Sequence, residues 1–252
     1  MRDAPLFLPI AVLALTAVAL ADSFDVPVQT KVVDFGPSPH YPNPQTAPHT
    51  KLSCYTFPTF MVKEYDDGQK CAEWLSIAPS AKGAALACST SHGTDEIVID
   101  EGWWYFEGVK GDLVFFRAAD GNHGGLTFRI YDANTGKQVF EDSPEAVEEA
   151  PFNHLEFGRA PDGQLVLKYR RVVDGDCKLL SDKGCWERTR RKFGLKTARM
   201  PVCTGDPDCE SGHCPFSASE SWWHLSYPVE VTLFPQPVIR AIVGPVTCGA
   251  NE

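Results

Sequence analysis

The chain has 252 residues, 43% hydrophobic and 22% charged, which is ample apolar material for a packed core and excludes wholesale disorder. Lys plus Arg total 23 against 33 Asp plus Glu, a net charge of −10, so a broad basic surface for nucleic acid is excluded and an anionic membrane surface disfavoured. Twenty Gly and 20 Pro are many breakers for a helical protein and point to β-structure with long loops.

Residues 1–21 read as an export signal: Met1-Arg2, an apolar run from Leu6 to Leu20, and the small-x-small close Ala19-Leu20-Ala21. The run is interrupted by Pro9 and falls short of the roughly 20 residues that span a bilayer, so cleavage before Asp22, rather than anchoring, is expected. No later stretch is apolar enough for stable membrane insertion, and no Asn-x-Ser/Thr acceptor occurs, in keeping with a bacterial envelope protein of the periplasm or exterior. Residues 22–50 carry Pro27, Pro37, Pro39, Pro42, Pro44 and Pro48 with little periodicity and read as an extended leader that packs little.

From 51 to 252 a single β-rich domain is expected. Short aromatic and β-branched runs at 52–57, 60–65, 73–78, 96–100, 103–108, 112–118, 125–132 and 137–141 alternate with turn signals such as Asp66-Asp67-Gly68 and Asp120-Gly121. In 125–132 the set Leu126, Phe128, Ile130 opposes Thr127, Arg129, Tyr131, which predicts one packed and one wetted face. Asp132 to Lys137 makes a hairpin loop, residues 142–151 an acidic connector, and 153–159 with 164–173 a second hairpin around Pro161-Asp162-Gly163. Arg117-Ala118-Ala119-Asp120-Gly121 and Arg159-Ala160-Pro161-Asp162-Gly163 echo each other 42 residues apart, a propeller-like period that shared hairpin chemistry explains more economically. A cysteine-rich insertion over about 174–221 holds one helix, 182–193, with Asp182 as cap, Trp186, Thr189 and Phe193 on one face and Gly194 at its end. Strands at 224–234 and 238–247 follow. The fold expected is all-β, an antiparallel β-sandwich or barrel of roughly ten strands with a disulfide-stapled helix-loop insertion.

Export makes disulfides the natural use of nine cysteines, an odd number that leaves at least one unbridged. The bridging candidates are Cys54, Cys88, Cys177, Cys185, Cys203, Cys209, Cys214 and Cys248. Cys203-x5-Cys209-x3-His213-Cys214 has zinc-type ligands without the usual Cys-x2–4-Cys spacing, and the acidic loop 206–212 departs from a calcium loop at its Pro and Gly positions, so no metal and no cofactor is assigned.

No Gly-x-Ser-x-Gly elbow and no His-x-x-x-His pair occurs. Ser91-His92-Gly93 and Asn122-His123-Gly124 sit in turns, where ordinary turn chemistry outweighs catalysis. The aromatic pairs are more telling. Trp103-Trp104 and Trp222-Trp223 put neighbouring rings on opposite faces of a strand, so one ring of each pair is either covered by the insertion or the leader or free to contact a ligand. A basic segment, Arg188, Arg190, Arg191 and Lys192, reads as an anionic docking site, most simply for the acidic connector of the same chain. These features favour a non-catalytic binding module for a carbohydrate or protein partner. The alternatives are a secreted hydrolase with a loop-borne His and carboxylate, and a structural subunit joined through the odd cysteine.

Overall fold

The computed structural model describes residues 23–69, 71–80, 86–99, 102–121, 124–146, 155–179, 182–201, 203–204 and 223–250. Three open sheets carry the chain. The first, in order β1-β2-β3-β4-β5, comprises β1 (Gln29–Pro37), β2 (His49–Thr56), β3 (Phe60–Asp66), β4 (Trp74–Pro79) and β5 (Ile97–Ile99). The second is the meander β6 (Trp104–Lys110), β7 (Leu113–Ala118), β8 (Phe128–Asp132) and β9 (Gln138–Asp142). The third is built on β10 (Glu156–Arg159), β11 (Leu165–Asp174) and β13 (Trp223–Thr232). The free edge of β13 is shared by β14 (Val238–Ala241) and β15 (Thr247–Ala250), and β12 (Cys203–Thr204) lies parallel to β15. All other pairs are antiparallel, as the short alternating runs dictate. The sheets stay open, so the barrel gives way to stacked layers.

The second sheet is the middle layer. Successive β7 side chains enter different cores: Leu113 and Phe115 pack with Phe157, Leu167, Tyr169, Val229 and Val231 of the third sheet, whereas Val114 and Phe116 pack with Phe60, Val62, Leu75 and Ile77 of the first. Hence Leu113-Val114-Phe115-Phe116 is an unbroken apolar run, the pattern of a strand buried on both faces. This corrects the expected wetted face of 125–132. Phe128 and Ile130 enter one core as expected, but Tyr131 is buried in the other, and Arg129 lies over the Trp104 ring at 4.3 Å while pairing with Glu141 at 2.7 Å.

Within the proline-rich segment, residues 29–37 form a mostly exposed strand, β1, in register with β2 from Gln29↔Thr56 to Asp34↔Lys51; its one proline, Pro37, sits at the strand's last position, beyond the register shift. Ahead of it Phe24 sits edge-on to Phe115 and Phe157 in the space that Gly108 leaves, where a Cβ would come within 2.5 Å of the Phe24 ring.

Both predicted hairpins form, with Gly136 and Gly163 at φ +66° and +84°. The 42-residue echo falls after β7 and after β10: its second copy forms the tight turn into β11, and its first opens the longer connection from β7 to β8. The predicted strand 238–247 divides in two around Gly244-Pro245. Helix α1 spans Cys185–Lys192 and ends at Gly194, φ +65°, as expected, but its N-cap is Gly184. Asp182 instead accepts the Gly184 N–H at 3.0 Å and pairs with Arg188, so it shapes the approach to the helix. Bridges Cys177–Cys185 and Cys203–Cys248 staple this excursion, and Cys54–Cys88 ties residues 86–96 to β2. Cys209 and Cys214 lie outside the described residues. No described helix is long and apolar enough to cross a membrane.

Candidate functional site

The outer face of the first sheet carries side chains that the middle layer does not cover. Cross-strand register places Leu52 beside Tyr65 and Tyr65 beside Trp74. The Tyr65 and Trp74 rings stack at 5.4 Å with only 8° between their planes, the His92 ring meets Trp74 edge-on at 4.6 Å, and Phe35 of β1 lies 6.2 Å from Tyr65. An aromatic row thus crosses four elements, with Phe35 52% exposed at its open end. Neither the Tyr65 hydroxyl nor the Trp74 N–H has a hydrogen-bond partner among the described residues, so the half-buried row keeps two polar groups unmatched.

Beside the row, residues 86–96 fold back over the sheet and enclose a cleft of about 340 Å³ between Met61, Lys63 and Ala78 below and Ser89, Ser91, His92 and Glu96 above. Three constraints hold this wall. Cys88 is bridged to Cys54, Lys63 Nζ donates to the Ser91 carbonyl at 2.9 Å, and the same ammonium pairs with Glu96 at 2.9 Å. Lys63 and Glu96 side chains are 4% and 2% exposed, so this is a buried ion pair whose desolvation must be met by further hydrogen bonds. They are present: Glu96 also accepts from the Ser76 hydroxyl, from His92 Nδ1 at 3.0 Å and from the Gly93 N–H at 2.8 Å. Burial alone would raise the Glu96 carboxyl, but Ser76, His92, Gly93 and Lys63 together hold it down at about 2, and it is ionised at neutral pH. An ionised carboxylate only accepts, so His92 Nδ1 is the donor in this pair, and its Nε2 has no partner among the described residues.

A second cluster surrounds the predicted Trp103. Trp103 and Cys71 are the described non-glycine residues with positive φ, +86° and +73°, and they hold each other: the Trp103 N–H donates to Cys71 Sγ at 3.0 Å, and the Cys71 N–H donates to the Tyr105 hydroxyl at 2.8 Å. Burial pushes the Cys71 thiol up, the Trp103 N–H opposes this, and Asp66, Asp67 and Asp120 add to it, so the thiol stays protonated. Nearby, burial pushes the Glu64 carboxyl up to about 7 against the lowering effect of the Phe106 N–H.

The structure separates the predicted contact residues. Trp103 is 64% exposed, whereas Trp104 is buried beneath Arg129 and Trp223 is buried with its indole N–H donating to the Cys177 carbonyl. Trp222 lies outside the described residues. The helix cations meet local acids: Arg188 pairs with Asp182, Arg190 with Glu187 and Lys192 with Asp176, while Arg191 is exposed; Glu148 and Glu149 of the connector lie outside the described residues. The connector's own Asp142 and Glu145 are taken by Arg171 and Arg170. Cys203, a ligand in the zinc pattern, is bridged to Cys248, and no group of three or more metal-type ligands occurs among the described residues. His123 and the acidic loop 206–212 lie outside them.

Sequence reasoning missed Phe35, Tyr65, Trp74, Lys63 and Glu96. Only the alternation in 60–65 and 73–78 hinted that Tyr65 and Trp74 share a face with Lys63 and Ser76; their register across strands is a tertiary fact. No family model, no curated protein and no solved structure matches this chain.

Proposed function

We propose that the protein is a non-catalytic carbohydrate-binding module, exported to an oxidising compartment of the bacterial envelope, that takes its ligand on the outer face of the first sheet. The observation that carries this reading is the Tyr65–Trp74–His92 row beside a hydroxyl-lined cleft. Aromatic side chains offer apolar contact to a sugar's C–H face while indole and phenol edges hydrogen-bond to its hydroxyls. Cys71 and Trp74 are three residues apart, at most roughly 11 Å of extended chain, so the exposed Trp103 held at Cys71 lies near enough for an extended ligand to reach both. Three disulfides support the oxidising compartment. Calorimetric titration of the oxidised protein with a panel of neutral and acidic oligosaccharides tests the reading. Binding that Trp74→Ala weakens by about tenfold, equivalent to roughly 1.4 kcal/mol, is expected. No binding across the panel, or Trp74→Ala binding like the parent, overturns it.

One observation favours a hydrolase as the second reading: His92, in a cleft, is paired with a buried carboxylate. Against it, Glu96 has four donors on its two oxygens, and no described Ser or Thr hydroxyl is bonded to His92 to act as nucleophile. Release of reducing ends from any bound oligosaccharide, abolished by His92→Phe, would establish this reading instead.

A further inference from the structure

The aromatic row gives a sugar ring a place to pack, and the hydrogen-bond inventory of the neighbouring cleft points to which sugars it takes. A carboxylate has about four acceptor positions. In Glu96 all are used, by Ser76 and His92 on Oε1 and by Gly93 and Lys63 on Oε2. The Lys63 ammonium has three N–H donors, and its partners are the Ser91 carbonyl and Glu96, each at 2.9 Å. Its third N–H has no partner among the described residues, although the side chain is 96% buried on the cleft floor. His92, tied through Nδ1, leaves Nε2 with no partner among the described residues. The cleft thus lacks one acceptor for Lys63 and one hydrogen-bond partner for His92 Nε2.

A hydroxyl supplies both, since it accepts and donates at once. A carboxylate or sulfate only accepts. It would answer Lys63, whose charge Glu96 already neutralises, and would face a second acid, Asp95, that also lines the cleft. We infer that the cleft selects an uncharged sugar residue, with hydroxyls bonded to Lys63 Nζ and His92 Nε2, and discriminates against uronic acids. This inference rests on the carbohydrate reading above.

The test compares the oxidised protein's affinity for xylo-, malto- and cello-oligosaccharides with that for an oligogalacturonide of matched length, and repeats the tightest neutral case with His92→Phe and Trp74→Ala. His92→Phe keeps a ring against Trp74 and removes both Nε2 and the Nδ1 bond to Glu96. The expected result is a neutral sugar bound at least about tenfold more tightly than the galacturonide, and an approximately tenfold loss in His92→Phe. Equal affinity for the two classes, or unchanged affinity in His92→Phe while Trp74→Ala abolishes binding, overturns the inference and leaves the carbohydrate reading standing. Absence of binding to every sugar overturns both. The comparison of sugars uses the unaltered protein, so it decides the question even if His92→Phe fails to fold.

Discussion

Two buried carboxylates illustrate how neighbours, not burial alone, set the charge of a side chain. Glu96 meets four donors that outweigh its burial and is held at about 2, whereas for Glu64 burial, helped by the like charges of Asp66 and Glu107, outweighs the Phe106 N–H and Arg117 and raises it to about 7. Their pH signatures are opposite. A depressed carboxyl stabilises the fold above its unfolded value of 4.5, and that stability is lost as pH falls from 4.5 towards 2. A raised carboxyl leaves the fold most stable below 4.5, and stability declines as pH rises from 4.5 through 7. Urea unfolding measured against pH is therefore expected to show an acid limb that Glu96→Gln flattens and a decline between 4.5 and 7 that Glu64→Gln flattens. Unchanged slopes in the variants would overturn both assignments. At the same scale, the sequence did not say which ring of the Trp103-Trp104 pair is exposed: Trp103 precedes β6 and is presented not by strand alternation but by a positive φ and by its N–H donated to the protonated Cys71 thiol.

Among the elements, the segment 86–96 matters most, because it has no secondary structure of its own up to β5 and yet walls the cleft. Its order depends on the Cys54–Cys88 bridge, which closes a 34-residue separation, against 8 residues for Cys177–Cys185. The loop-entropy model gives roughly 4 kcal/mol for the longer bridge and roughly 2.5 kcal/mol for the shorter. Cys54→Ala/Cys88→Ala is expected to cost the larger amount in chemical denaturation and to raise amide exchange at Gly93, whose N–H is held by Glu96; Cys177→Ala/Cys185→Ala is expected to leave that amide protected. Equal exchange at Gly93 in both variants would show that the ion pair alone orders the wall. Strand positions and turn chemistry were legible because they are local: Gly136, Gly163 and Gly194 sit where a positive φ is required. The strand within the proline-rich segment was not legible because pairing with β2, rather than its own composition, makes residues 29–37 a strand.

At the scale of the molecule, a middle sheet shared by two cores predicts cooperative unfolding, since neither outer sheet can lose its packing without exposing one face of β7. Hydrogen exchange under increasing denaturant is expected to remove protection from β3 and β13 together, with Phe115→Ala and Phe116→Ala each lowering both by several kcal/mol. Separate loss of the two sheets would show that the layers are energetically independent.

The amino-acid sequence by itself determined the all-β class, the main hairpins, the stapled helical excursion and the need for disulfides, because turn residues, alternation and cysteine count act within a few positions of one another. Only the tertiary structure decided which strands share a sheet, that one sheet is buried on both faces, and that Lys63, Ser76, His92 and Glu96 meet around a cleft. The reason is that cross-strand register and layer stacking join residues far apart in the chain, and no local pattern encodes which partner a strand's edge or face will find.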